Sequence, residues 1–211
     1  HRGHRAVIEK AVSCAPALTP VVFTFTFDDP DQITKPHYAA ILSDTRKREI
    51  FASLGVQAVV EPPFSSFREL SPEDFFQRIL REKLNAKAVF CGGDYRFGKN
   101  AAGDAVLMER FCKEAGIRFE TVPSETEGGE PISSTRIRQL LRDGKPEESA
   151  FLLGERYAID FPVVHGRQLG RKMGYPTINQ LYPSGSLLPK LKMLLMYVAI
   201  LYSLSALSAI D

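Results

Sequence analysis

Residues 6–154 switch repeatedly between two hydrophobic periods, and that alternation constrains the fold more than any other feature of the chain. A period of two in β-branched and aromatic residues marks a strand, and a period near 3.6 marks a helix. Residues 21–27 are the clearest strand: Phe23, Phe25 and Phe27 alternate with Thr24 and Thr26, which gives one greasy face. Residues 56–60, 86–91 and 117–122 read as further strands. Between them lie helical stretches at 43–54, 71–84 and 104–115, after a first one at 6–14 that follows His1-Arg2-Gly3-His4. Ser71-Pro72-Glu73-Asp74 is a strong helix start, with a hydroxyl at the cap, proline in the first turn and two acids behind it. Gly55 and Gly116 stand where helix C-terminal caps are needed. Helices at 135–142 and 146–153 complete the series. Strand–helix alternation predicts an α/β fold, a parallel sheet covered by helices on both faces. Ligands of such sheets bind beyond the carboxyl ends of the strands, the rim where residues 92–98 and 133–135 should lie.

The rhythm breaks after Gly154. Residues 157–164 read as a strand, 166–174 as a glycine- and cation-rich loop, and 175–179 as a short extended piece with no helix between. This predicts the start of a second, β-type domain. The chain therefore reads as a first domain over 1–154, part of a second over 155–190, and an atypical apolar tail over 191–211. Residues 194–210 carry no charge over 17 positions, short of the roughly 20 that span a bilayer, so a membrane partner is not expected despite this tail.

Composition narrows the function classes. With 27 Lys and Arg against 25 Asp and Glu, a net charge of +2 leaves no basic excess for nucleic acid. Cys14, Cys91 and Cys112 are odd in number and lack metal-site spacing, which fits reduced cysteines in a cytoplasmic protein.

Four short motifs carry candidate chemistry. In His1-Arg2-Gly3-His4 two imidazoles sit three apart, so they share a face if the stretch opens a helix, and Gly3 gives an anion room to approach the backbone. A helix start offers unpaired N–H groups and partial positive charge, which suits phosphate; equally, such a stretch can be a solvated basic end. In Ile132-Ser133-Ser134-Thr135-Arg136-Ile137-Arg138, hydroxyls precede a helix with two arginines in its first turn, where cations are disfavoured unless an anion lies in front of them. An ordinary cap with surface arginines is the plainer alternative. Gly92-Gly93-Asp94-Tyr95-Arg96-Phe97-Gly98 is either a tight turn or a loop whose Asp94 holds a nucleotide or flavin edge. Gly170 and Arg171, then Pro176-Thr177-Ile178-Asn179, complete the set. Thr177 and Asn179 are two apart on an extended stretch, and their neutral hard oxygens suit Mg²⁺.

The order HRGH, GGDYRFG, ISSTRIR, GRKMGYPTIN resembles the prokaryotic bifunctional riboflavin kinase/FMN adenylyltransferase, or FAD synthetase, family, from His1 to about Lys190. The resemblance implies a Rossmann-like nucleotidyltransferase domain followed by a riboflavin kinase β-barrel. It implies adenylyl transfer from ATP to FMN, with ATP-dependent riboflavin phosphorylation in the second half, so the partners would be the small molecules ATP, FMN and riboflavin together with Mg²⁺. His1 and His4 would contact ATP phosphates, with Gly3 beside them. Ser133, Ser134, Thr135 and Arg138 would hold the triphosphate, Asp94 the flavin or nucleotide loop, Gly170 and Arg171 the kinase phosphate loop, and Thr177 and Asn179 the metal. His1, His4 and Arg138 would be the catalytic set. HxGH and ISSTxIR alone also suit another small-molecule nucleotidyltransferase, or a fragment that only binds nucleotide or flavin.

The sequence also departs from the family. The family's strand and glycine turn before HxGH do not precede His1, so the sheet is expected to lack a central strand and the ATP site one wall. Asp28-Asp29-Pro30-Asp31 replaces a His-Pro pair on the flavin side. The kinase half stops after its first motif, so riboflavin phosphorylation by these 211 residues is not expected.

Overall fold

The computed structural model describes residues 1–27 and 39–165, with residues 172, 174, 179, 180 and 187. These fall into two compact units: residues 1–27 with 47–134, and residues 39–46 with 135–165 and the later described positions.

In the first unit, helix α1 (Arg2–Val12) is followed by strand β1 (Val21–Phe23). The helix starts earlier than its apolar period suggests, so His1-Arg2-Gly3-His4 forms its first turn instead of preceding it. Strand β1 pairs in parallel with β2 (Ala58–Val60), Val21 opposite Ala58 and Phe23 opposite Val60. The strand expected over 21–27 is shortened for a clear reason: its partner runs into Pro62-Pro63, which cannot donate to a ladder. Only an isolated bridge between Thr26 and Pro63 continues the pairing. The alternating phenylalanines still cluster with neighbouring aromatic rings, with Phe23 and Phe27 partly buried and Phe25 exposed. Phe23 meets Phe67 and Phe75 edge-on at 5.6 and 5.7 Å, and Phe25 meets Phe67 at 5.8 Å.

A second parallel pair joins β3 (Ala88–Gly92) to β6 (Arg118–Val122), with Ala88 opposite Arg118 and Gly92 opposite Val122. Two short hairpins that the sequence period does not reveal lie beyond these strands: β4 (Arg96–Phe97) with β5 (Gly103–Asp104), and β7 (Thr126–Glu127) with β8 (Glu130–Pro131). Helix α2 (Asp44–Ser53) begins where Ser43 Oγ accepts from the Arg46 N–H at 3.0 Å, and crosses from the second unit into the first. Helix α3 opens on the Ser71 cap at Pro72–Asp74 and then widens into a π-helical coil over Phe75–Lys83, unwinding through a bond from the Leu84 N–H to the Ile79 carbonyl. Helix α4 (Ala105–Glu114) is capped by Asp104, which accepts from the Leu107 N–H at 2.9 Å.

The core of this unit is Phe67, Phe75, Phe76, Ile79, Leu80, Phe97, Met108 and Cys112, all buried. Each such side chain contributes about 1.5–3 kcal/mol by leaving water. The parallel pairing expected from the sequence is thus present, but as two separate pairs. Among the described residues no strand joins β1 to β3. A cleft of about 540 Å³ lies there instead, lined by Val7, Ile8 and Ala11 of α1, Val22 of β1, and Val89 and Cys91 of β3. Helix α1 buries none of its residues because its apolar face looks onto this cleft.

Helix α5 (Ser134–Arg142) leads into the second unit, where α6 (Pro146–Leu153) ends on Gly154 in the left-handed conformation at φ 80°. Ile137, Leu141, Leu152 and Leu153 are buried there. The strand expected over 157–164 is reduced to β9 (Val163–Val164), paired antiparallel with β10 (Asn179–Gln180). Antiparallel pairing at this point fits the expected change to a β-type segment. Gly170, Arg171, Thr177, the Asp28–Pro30 region and the tail over 191–211 lie outside the described residues. No described helix is long and apolar enough to cross a membrane.

Candidate functional site

His1 is the N-terminal cap of α1, a position usually taken by Ser, Thr, Asp or Asn. Its Nδ1 accepts from the His4 N–H at 3.2 Å, which leaves the ring proton on Nε2. The two imidazoles stack at 3.9 Å between centroids with 25° between planes. No acid occupies this turn, although acids are what the helix macrodipole favours there. A first turn with two imidazoles and no carboxylate of its own has the donors and partial positive charge that suit an anion.

Gly3 leaves space at a crowded point. A Cβ on it would come within 3.3 Å of the His1 ring and 3.7 Å of the Ile132 carbonyl. The missing side chain spares the His1 imidazole a tight contact, and the chain at 132 lies within ordinary van der Waals reach of this position. This places Ile132, and with it Ser133 and the first residue of α5, Ser134, beside the first turn of α1 within one unit. Two motifs far apart in sequence meet at this point.

Asp94 stands exposed in the turn that leaves β3, closed by the Tyr95 N–H donating to the Gly92 carbonyl at 3.1 Å. Its Oδ1 folds back over Gly92, where a Cβ would meet it at 2.9 Å. Tyr95 stacks on Phe97 at 5.6 Å, and burial pushes its hydroxyl well above the ordinary tyrosine range. Gly98 takes φ 73°, and any Cβ there would strike Pro72 at 2.7 Å, so the loop must keep a glycine to pass the start of α3. Asp94 follows the end of β3, and residues 123–133 follow the end of its neighbour β6. Both therefore leave the carboxyl rim of the same parallel pair.

In the second unit, Arg138 donates from Nε to the Ala39 carbonyl at 2.8 Å. Burial, and after it the neighbouring Arg142 cation, lower its guanidinium from the ordinary arginine value. Among the described residues no carboxylate pairs with it. A half-buried guanidinium held by a neutral oxygen is a cation still short of an anion. Thr135 is exposed in the same turn, which again contains no acid. Asn179 stands in β10 with its backbone opposite Val164. No group of three or more His, Cys, Asp or Glu among the described residues could hold a metal ion.

Sequence reasoning missed four participants. Arg2 donates from Nη1 to Glu127 Oε2 at 2.6 Å and lies 3.5 Å from Glu125 through Nη2. The signal was the Glu125-x-Glu127 spacing, which puts both carboxylates on one side of an extended stretch. The Ala39 carbonyl left no signal, because a backbone acceptor has no side-chain signature.

Residues 1–136 match the family model for FAD synthetase, and residues 153–202 match that for riboflavin kinase. The second match runs past Lys190 and takes in part of the apolar stretch that the sequence sets apart. A bifunctional riboflavin kinase/FMN adenylyltransferase of Listeria monocytogenes is 35% identical over 205 residues, covering 90% of this chain and 62% of that protein. One from Escherichia coli is 33% identical over 183 residues, covering 85% and 58%. The chain thus spans about three fifths of the length of these relatives. A crystal structure from Streptococcus pneumoniae, described as a macrolide-efflux protein, superposes with a TM-score of 0.71 at 29% identity, over 86% of this chain and 60% of that one. The match over residues 1–136 takes in both the His1–His4 turn and the serines that meet it, and this chain belongs to the FAD synthetase family.

Proposed function

We propose that the chain transfers the adenylyl group of ATP to FMN, giving FAD and pyrophosphate. The single observation that supports this best is the first turn of α1, where stacked His1 and His4 replace the acids a helix start prefers, with residues 132–134 alongside. An FMN phosphate oxygen attacks the α-phosphorus of ATP, the bond to the β-phosphate oxygen breaks, and pyrophosphate leaves with that electron pair. Two anions must approach each other, so catalysis is mostly positioning and charge neutralisation. His1 and His4 would meet the phosphates from α1. Ser133, Ser134, Thr135 and Arg138 would hold the triphosphate from α5, and Asp94 would border the flavin or the nucleotide. None of these roles calls for a covalent enzyme intermediate.

For the second half we propose that it supplies the first motif of a riboflavin kinase site, the activity itself belonging to the whole relatives. Gly170 and Arg171 would serve its phosphate loop. Thr177 and Asn179 offer neutral oxygen donors, a set that suits Mg²⁺. Bound there, Mg²⁺ would supply charge neutralisation on nucleotide phosphates. Unpaired Cys14, Cys91 and Cys112, with ATP as substrate, support a cytoplasmic location. Incubating the chain with ATP, FMN and Mg²⁺ and separating the flavins chromatographically tests the first activity. FAD should accumulate with one pyrophosphate released per FAD. No FAD, alongside adenylylation of a different phosphate compound, would contradict it.

A further inference from the structure

The hairpin β7–β8 is exposed at every residue of both strands, and at its tip Gly128 and Gly129 take φ 65° and 80° with nothing close to either. A two-stranded ribbon without an apolar face is marginal in water, so its position depends on its polar attachments. Two of these converge on Glu125. Its carbonyl accepts from the Ile132 N–H at 2.8 Å, which closes the base of the hairpin. Its carboxylate faces Arg2 Nη2 at 3.5 Å, while Glu127 takes Nη1 at 2.6 Å. Arg2 occupies the first position of α1, between His1 and Gly3, where a cation is disfavoured by the helix itself. Its charge is turned onto the hairpin, unlike the imidazoles, which stack on each other. Ile132 is buried, and its carbonyl lies against Gly3. Residues 132–134 are therefore held between α1 on one side and a hairpin tied back to α1 on the other.

We infer that Arg2 is a positioning residue, which fixes residues 132–134 against the first turn of α1 by holding Glu125 and Glu127. It also keeps those two carboxylates neutralised next to a turn built for an anion. The link itself stands on the geometry of the first unit; its consequence for ATP rests on the adenylyltransferase proposal. Exposed ion pairs contribute modestly one at a time, so the effect of breaking this pair of contacts should be several-fold.

Amide hydrogen exchange of Arg2→Ala against the parent chain tests the link. The amides of Ile132 and residues 126–130 should exchange about fivefold faster, with the β3–β6 ladder unchanged. The conservative variant Arg2→Lys should keep most of the slow exchange, because it preserves the charge that faces Glu125 and Glu127. Unchanged exchange at Ile132 in Arg2→Ala, or equal acceleration in the β3–β6 ladder, would overturn the inference, as would exchange in Arg2→Lys as fast as in Arg2→Ala. Titration of the same variants with ATP and Mg²⁺ reads the consequence, with affinity expected to fall about fivefold in Arg2→Ala and to stay close to the parent's in Arg2→Lys. A parent chain that binds no ATP would contradict the adenylyltransferase proposal, while exchange at Ile132 would still decide the role of Arg2.

Discussion

The Arg138 guanidinium donates from Nε to the Ala39 carbonyl at 2.8 Å, which orients the fork and leaves its two Nη groups for an anion. Arg138→Ala should slow FAD formation tenfold to a hundredfold, because a hydrogen bond to a charged group is worth about 1.5–3 kcal/mol. Arg138→Lys should restore little of this. Lysine keeps the charge but has no Nε to anchor on Ala39 while other donors face the phosphate. Initial rates of FAD formation across the three proteins check both expectations.

Gly3→Ala should separate stability from binding. At a helix position alanine is favoured over glycine by about 1 kcal/mol, so the melting temperature should hold or rise. The new Cβ would sit 3.3 Å from the His1 ring and 3.7 Å from the Ile132 carbonyl, so the imidazole must move. ATP affinity should fall several-fold at unchanged Tm, measured by titration and thermal unfolding of the same samples.

Acid should weaken the first unit through Glu61. A hydrogen bond from Lys47, and another from Arg48, hold its carboxyl below the ordinary glutamate value against the opposing cost of burial. The contacts are 2.7 Å to Lys47 and 2.9 Å to Arg48. A lowered folded-state pKa gives stability that is complete above the ordinary carboxyl value and is lost as pH falls through the folded one. Glu61→Gln should cost about 1 kcal/mol or less at pH 7 and flatten that acid dependence. Urea midpoints from pH 7 down to pH 3 read both effects.

Thiol chemistry should report the core. Burial pushes the Cys91 and Cys112 thiols up to about 11, whereas Cys14 is partly exposed beside the end of α1. At pH 8 iodoacetamide should modify Cys14 within minutes and spare Cys91 and Cys112 until urea unfolds the chain. Mass spectrometry of digests against time checks the order.

Local chemistry made most of the first unit legible. Ser71 with Pro72, and Asp104, each carry their own start signal, and the structure places both at helix ends. The start of α1 was not legible, because His1 is not a residue that usually caps. The shortened β1 could be traced only to its partner, since Pro62 and Pro63 end a ladder they do not belong to. The exposed hairpin β7–β8 shows no hydrophobic period at all. At the candidate site, residue types announced His1, His4 and the serines, but not that Gly3 brings them together. The Arg2 link joins residues 123 and 125 positions apart, and no local pattern encodes such a pairing.

The central claim is that the first turn of α1 receives nucleotide phosphate. Calorimetric titration of ATP with Mg²⁺ into the parent chain, His1→Ala and His4→Ala tests it most directly. The parent should bind, and each variant should bind about tenfold more weakly or worse, since each loses a donor to a charged group, with Tm unchanged in His4→Ala and lowered in His1→Ala by loss of the α1 cap. Equal affinity in all three proteins, or no binding by the parent, would contradict the claim.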